Sequence, residues 1–203
     1  MAAYKLLPMG ISDFRRIRLE NYYYVDKTAY IPKIELVSSF LFFCRPRRFG
    51  KTLMLSLLES YYDCKQKEDF DTLFKGLWIH EHPTENRGVY QVMRLDFSQV
   101  AGSVDELKTG LDQYCDYTLN AFAHKYKDMY GEGFVEKVAE YKTAKAKIGF
   151  IATSAKEYGH KLYLILDEYD NFTNTVLAQH GEAVYPYADS GGWRHAVFEG
   201  AHE

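Results

Sequence analysis

The sequence predicts an α/β domain: a mainly parallel sheet with helices on both faces, incomplete toward the C-terminus. Three compact apolar runs, at 39–45, 90–100 and 161–171, carry this prediction. Stretches with apolar residues at helical spacing separate them. Strands divided by helices call for crossover connections, and those build parallel sheets. No internal repeat and no low-complexity tract interrupts the order.

Residues 1–12 read as an extended lead-in broken by Pro8 and Gly10. Ser12 or Asp13 is placed to cap a short helix through Glu20. Asp26 is placed to cap a second helix running to about Ser39, with Pro32 an obstacle in its interior. "SFLFFCR", 39–45, has the length and aromatic content of a buried strand. Leu53, Met54, Leu57, Leu58 and Tyr61 then recur at helical spacing between Thr52 and Cys64.

A short helix is expected near "FDTLFKGLWI" and a second strand in "YQVMRLDFSQV". Ser103 and Glu106 form a capping box for a long helix. Its stripe is Leu107, Leu111, Tyr114, Leu119, Phe122 and Tyr126. Gly131 and Gly133 break it, and another helix is predicted over 134–158. "KLYLILDEYDN", 161–171, is the third strand and ends in acids. Beyond it the periodicity fades, and residues 179–203 read as an atypical tail outside the domain of 1–178.

Composition narrows the class. The 203 residues are 47% hydrophobic and 26% charged, as in ordinary globular proteins. A net charge of −3 provides no global basic field to hold a nucleic acid. No apolar run reaches the roughly 18 residues a membrane helix needs. The N-terminus lacks the apolar core of a signal peptide. Three cysteines, Cys44, Cys64 and Cys115, make an odd and widely spaced set, which suits a reducing, cytoplasmic setting.

"RPRRFGKTLML", 45–55, carries the chemistry. Gly50-Lys51-Thr52 leads into an apolar helix and follows the predicted strand. Backbone N–H groups of such a loop converge beside the positive end of a helix, where a phosphate can sit. Lys51 is expected to reach the β- and γ-phosphates of a nucleotide and Thr52 to ligate Mg²⁺. The usual Walker A pattern begins with a glycine where this chain has Arg45. Pro46 drives the residue before it into an extended conformation, so the phosphate nest is expected to start later. Arg47, Arg48, Phe49, Gly50, Lys51 and Thr52 are therefore the candidate nucleotide-binding residues.

The second signature is "LYLILDEYD", an apolar strand ending in Asp167-Glu168. In the manner of a Walker B strand, Asp167 is expected to hold Mg²⁺ and Glu168 to polarise the attacking water. In parallel sheets the strand ends face one crevice, so Lys51 and the two acids are expected at a common hollow. The Asp-Glu pair favours hydrolysis. Phosphoryl transfer to a small acceptor is a weaker reading, and Asp170 reads as a solvated turn residue.

These segments together, "YYYVDKTAYI", "FLFFCRPRRFGKTLMLSLLESYY", "LFKGLWI", "VMRLDFS" and "LILDEYDNF", resemble the AAA-ATPase-like domain of uncharacterised bacterial proteins over about residues 5–178. That family's phosphate loop usually reads R-P-R-R-F-G-K-[ST], so the resemblance accounts for Arg45. It implies a P-loop NTPase-type fold, ATP and Mg²⁺ as ligands, and ATP hydrolysis with Lys51 and Glu168 as catalytic residues. Asp26 and Lys27 match a family motif of unassigned role, for which a helix cap is the simpler explanation. Family members are usually longer and often carry a C-terminal domain similar to PD-(D/E)XK nucleases. "PYADSGGWRHAVFEGAHE" does not resemble the family's continuation, and the chain reads as a fragment whose partner is another protein or that missing domain. The alternative is a non-catalytic nucleotide-binding or protein-interaction module.

Other candidates are weaker. His80-Glu81-His82 lacks further metal ligands and reads as surface. Cys44 reads as a small buried residue beside the loop. "SGGW" is too short for a second glycine-rich site.

Overall fold

A computed structural model of the chain describes residues 4–37, 40–43, 49–99 and 104–168. It is a mixed helix and strand structure in two compact units, Met1–Val92 and Met93–Glu203. Among the described residues no helix is long and apolar enough to cross a membrane.

The first unit is helical. Asp13 caps α1 (Phe14–Leu19) by accepting from the Arg16 N–H at 3.0 Å. A 3-10 turn, Thr28–Tyr30, runs directly into α2 (Ile31–Val37). Pro32 thus falls in the first turn of α2, where its missing N–H costs no helical bond. The single helix expected from Asp26 is a turn followed by a shorter helix.

Next comes α3 (Lys51–Tyr62), which buries Met54, Leu57, Leu58, Tyr61 and Tyr62. The Phe14 N–H donates to the buried Ser56 hydroxyl at 2.9 Å, fixing α1 against α3. A 3-10 helix, Cys64–Asp69, leads to α4 (Phe70–Phe74), and α5 (Trp78–Glu81) follows after Gly76. The core is aromatic: Phe74 packs with its ring 5.1 Å from Phe14, 5.5 Å from Tyr61 and 5.2 Å from Phe70. Arg18 donates to the carbonyls of Leu73 and Lys75, closing the open end of α4.

Strand β1 (Tyr90–Asp96) begins at the end of the first unit and enters the second. It pairs with β2 (Lys161–Asp167) in a parallel two-stranded sheet. Between them run a 3-10 turn (Phe97–Gln99), α6 (Val104–Tyr126), α7 (Phe134–Glu140) and α8 (Ala144–Glu157). The stripe of α6 is buried at Leu111, Cys115, Leu119, Phe122 and Tyr126. Tyr114 lies on the margin of that stripe, and its hydroxyl accepts from the Asp96 N–H at 2.7 Å.

Two expectations change here. The helix predicted over 134–158 is two helices, because Tyr141 is extended and the Thr143 hydroxyl accepts from the Ala146 N–H to open α8. The buried strand predicted over 39–45 does not appear in its described part. Residues 40–43 form no strand, and Phe40, Leu41 and Phe42 are exposed. A strand needs a neighbouring backbone to take its N–H and C=O groups; an apolar run reveals no such neighbour. Among the described residues the sheet therefore has two strands instead of three. Ser103, the rest of 39–45 and the boundary expected at 178 lie outside the described residues.

Candidate nucleotide site

Gly50 adopts a left-handed conformation, φ 76° and ψ 28°, and stands at the N-cap of α3. Its carbonyl accepts the first helical bond, from the Met54 N–H at 3.0 Å. Lys51 and Thr52 follow as the first two helical residues, both half-buried, and Phe49 before them is exposed. A left-handed residue followed by right-handed ones turns successive N–H groups toward one concavity, the arrangement that cradles anions. Among the described residues an added Cβ at Gly50 meets no atom within 4 Å. What reserves the position for glycine is the backbone conformation, not crowding. Arg47 and Arg48, expected to contribute to the same loop, lie outside the described residues.

The acids are in the second unit. Asp167 ends β2 with its side chain fully buried. Its Oδ1 accepts from the Glu168 N–H at 3.1 Å, and its Oδ2 faces Arg94 Nη2 at 3.4 Å. Glu168 is half-buried and has φ 51°, a left-handed conformation rarely adopted by a residue with a side chain. Such outliers concentrate at functional sites. Asp167 and Glu168 stand together, as do Gly50, Lys51 and Thr52; the two groups belong to different units.

Arg94, which pairs with Asp167, was not singled out in the sequence reading. It sits inside "VMRLDFS", where the surrounding apolar residues mark a strand and the arginine passes for a solvated exception. An ionised side chain in a run otherwise built for burial was the available signal.

Other candidates resolve into structure. Asp26 Oδ1 accepts from the Thr28 N–H and hydroxyl, and its Oδ2 accepts from the Trp78 N–H at 2.7 Å. The Thr28 hydroxyl in turn accepts from the Ile79 N–H. Asp26 therefore caps its own turn and, through Thr28, the start of α5 as well. His80 stacks on Phe70 and bonds Asp71 and Glu81, while His82 stacks on Trp78 with ring centres 4.3 Å apart. Among the described residues no cluster of three or more metal-ligating side chains occurs. Burial, with a smaller contribution from Asp112, pushes the Cys115 thiol up to about 11, which suits a packing residue. Cys44 lies outside the described residues.

A family model described as predicted AAA-ATPase matches residues 8–190, and the chain belongs to that family. An uncharacterized protein encoded in the vnfD 5' region of Azotobacter chroococcum mcd 1 is 37% identical over 94 residues, covering 46% of this chain. The matched stretch is 17% of that relative's length. No solved structure matches.

Proposed function

We propose that the chain binds ATP and, with Mg²⁺, hydrolyses it, as part of a P-loop NTPase-type fold. Family membership supports nucleotide binding. The observation that carries the reading is the left-handed Gly50 opening α3 directly before Lys51 and Thr52. That is the local geometry a phosphate nest requires.

In this reading, N–H groups from Arg48 to Thr52 bind the phosphates, with Arg47 and Arg48 adding charge. Lys51 binds the β- and γ-oxygens. Glu168 positions the attacking water and accepts its proton. The Thr52 hydroxyl and the Asp167 carboxylate are the oxygen donors a hard divalent cation takes. A bound Mg²⁺ would supply charge neutralisation on the phosphate oxygens. The assignment of both residue groups to one nucleotide rests on the order of the motifs along the chain.

Lys51→Ala tests the loop: it should abolish ATP binding measured by calorimetry, and unaltered affinity dismisses the assignment. Glu168→Gln should retain binding and lower phosphate release by about 10²–10⁴-fold. A second reading, a nucleotide-binding module that docks another protein or a nuclease-like domain without turnover, draws on the exposed apolar Phe40, Leu41 and Phe42 ahead of the loop. A thermal shift with Mg-ATP and no phosphate release would favour it.

A further inference from the structure

We propose that Arg94 is a resident counter-ion of Asp167 that is displaced when a divalent cation binds, so that it tunes the metal affinity of the site. The proposal rests on the functional reading above and adds a residue to it. The Asp167 side chain is fully buried, and a buried charge is tolerated only with a compensating partner. Arg94, on the adjacent strand β1, supplies positive charge at Oδ2. The other oxygen is held by the Glu168 N–H, which fixes the orientation of the carboxylate.

Two features mark this pairing as replaceable. The Nη2 to Oδ2 distance is 3.4 Å, whereas tight guanidinium–carboxylate bonds run at about 2.7–2.9 Å. The Arg94 side chain is also 22% exposed, whereas that of Asp167 is fully buried, so the arginine is the partner with room to shift. A divalent cation brings twice the charge, and Mg²⁺ approaches an oxygen to about 2.0–2.1 Å. The stronger charge at closer range takes the carboxylate, and the guanidinium moves outward. Arg94 acts here through Asp167 and is a positioning residue.

The test is a Mn²⁺ titration of the 203-residue chain without nucleotide, read by electron paramagnetic resonance. Arg94→Met should bind Mn²⁺ at least about tenfold more tightly than the unaltered chain, because a like charge is removed from the site. Arg94→Lys, which keeps the charge, should stay near the unaltered affinity. Asp167→Asn should lose the tight binding in either background. In the unaltered chain, phenylglyoxal labelling of Arg94, followed by peptide mass spectrometry, should accelerate when Mg²⁺ is added. That labelling measurement decides the matter if Arg94→Met does not fold. Equal or weaker Mn²⁺ affinity in Arg94→Met, or labelling unchanged by Mg²⁺, overturns the proposal. ATP binding in EDTA, abolished by Lys51→Ala, reports the loop separately. If ATP binds and Arg94 has no effect on metal, this inference alone falls; if ATP does not bind, the functional reading falls.

Discussion

The Asp26 carboxylate accepts a 2.7 Å hydrogen bond from the Trp78 main-chain N–H, 52 residues further along the chain. One side chain thereby caps a turn near the N-terminus and the start of α5, which the fold brings beside it. Asp26→Ala removes both caps and should cost about 1–2 kcal/mol in urea denaturation. Asp26→Asn keeps one acceptor oxygen and should lose less. If the motif served the nucleotide instead, ATP affinity would fall in the folded variant; it should stay unchanged.

Gly50→Ala places a side chain at φ 76°, with no atom of the described residues within 4 Å of it. The penalty is conformational, about 1–2 kcal/mol. The chain can escape it by leaving the left-handed region, which would turn the Lys51 and Thr52 N–H groups away from their common direction. The variant should bind ATP more weakly in calorimetry while its far-ultraviolet circular dichroism stays intact. Gly50→Asn, a residue that tolerates this conformation, should fall between the two.

Lys147 is buried on α8, and its Nζ lies 2.8 Å from Asp116 and 2.9 Å from the Asn120 oxygen, both on α6. Asp116 is half exposed and can return to water when its partner is lost. Lys147→Met, which keeps the stem packed, should be neutral or stabilising in chemical denaturation. Lys147→Ala opens a cavity between α6 and α8 and should cost about 2–3 kcal/mol. Equal losses in both would show the charge, and not the packing, to be the larger contribution.

His80 carries a raised affinity for its proton, from its bond to Glu81 first and to Asp71 second. A folded-state value above the unfolded one stabilises most when the group is charged in both states. The contribution is therefore complete below about pH 6.5 and disappears as pH rises through the higher folded value. His80→Gln should lower the melting temperature at pH 6, and the gap to the unaltered chain should narrow toward pH 8.5. A gap constant across that range would mean the ring acts only by stacking on Phe70.

The helices were readable where an apolar stripe coincided with a stop signal. Leu111, Leu119, Phe122 and Tyr126 repeat at the spacing of a buried face, and Gly131 and Gly133 close it. Thr143 was harder to see, because a threonine between lysines and alanines looks like part of the helix it interrupts. The run 39–45 shows the limit for strands, whose existence depends on a partner backbone that local sequence does not contain. The start of α3 at Lys51 and the end of β2 at Asp167 were legible because each motif carries a local conformation; the roles given to Gly50, Lys51, Thr52, Asp167 and Glu168 are part of the proposed function. Arg94 was not, since its significance lies in a residue on the neighbouring strand, and Asp26 was only half legible for the same reason.

Glu168 holds φ 51° immediately after β2, whereas the chain's other left-handed residue bearing a side chain among those described, Asn21, belongs to a type that accepts that geometry. Glycine would relax the backbone there by about 1 kcal/mol. Glu168→Gly should consequently melt later than the parent while losing whatever the carboxylate performs. A search for thermostable versions of this chain would thus favour loss of the carboxylate at this codon, and, if the proposed hydrolysis holds, a screen reading only folding would select the wrong clone.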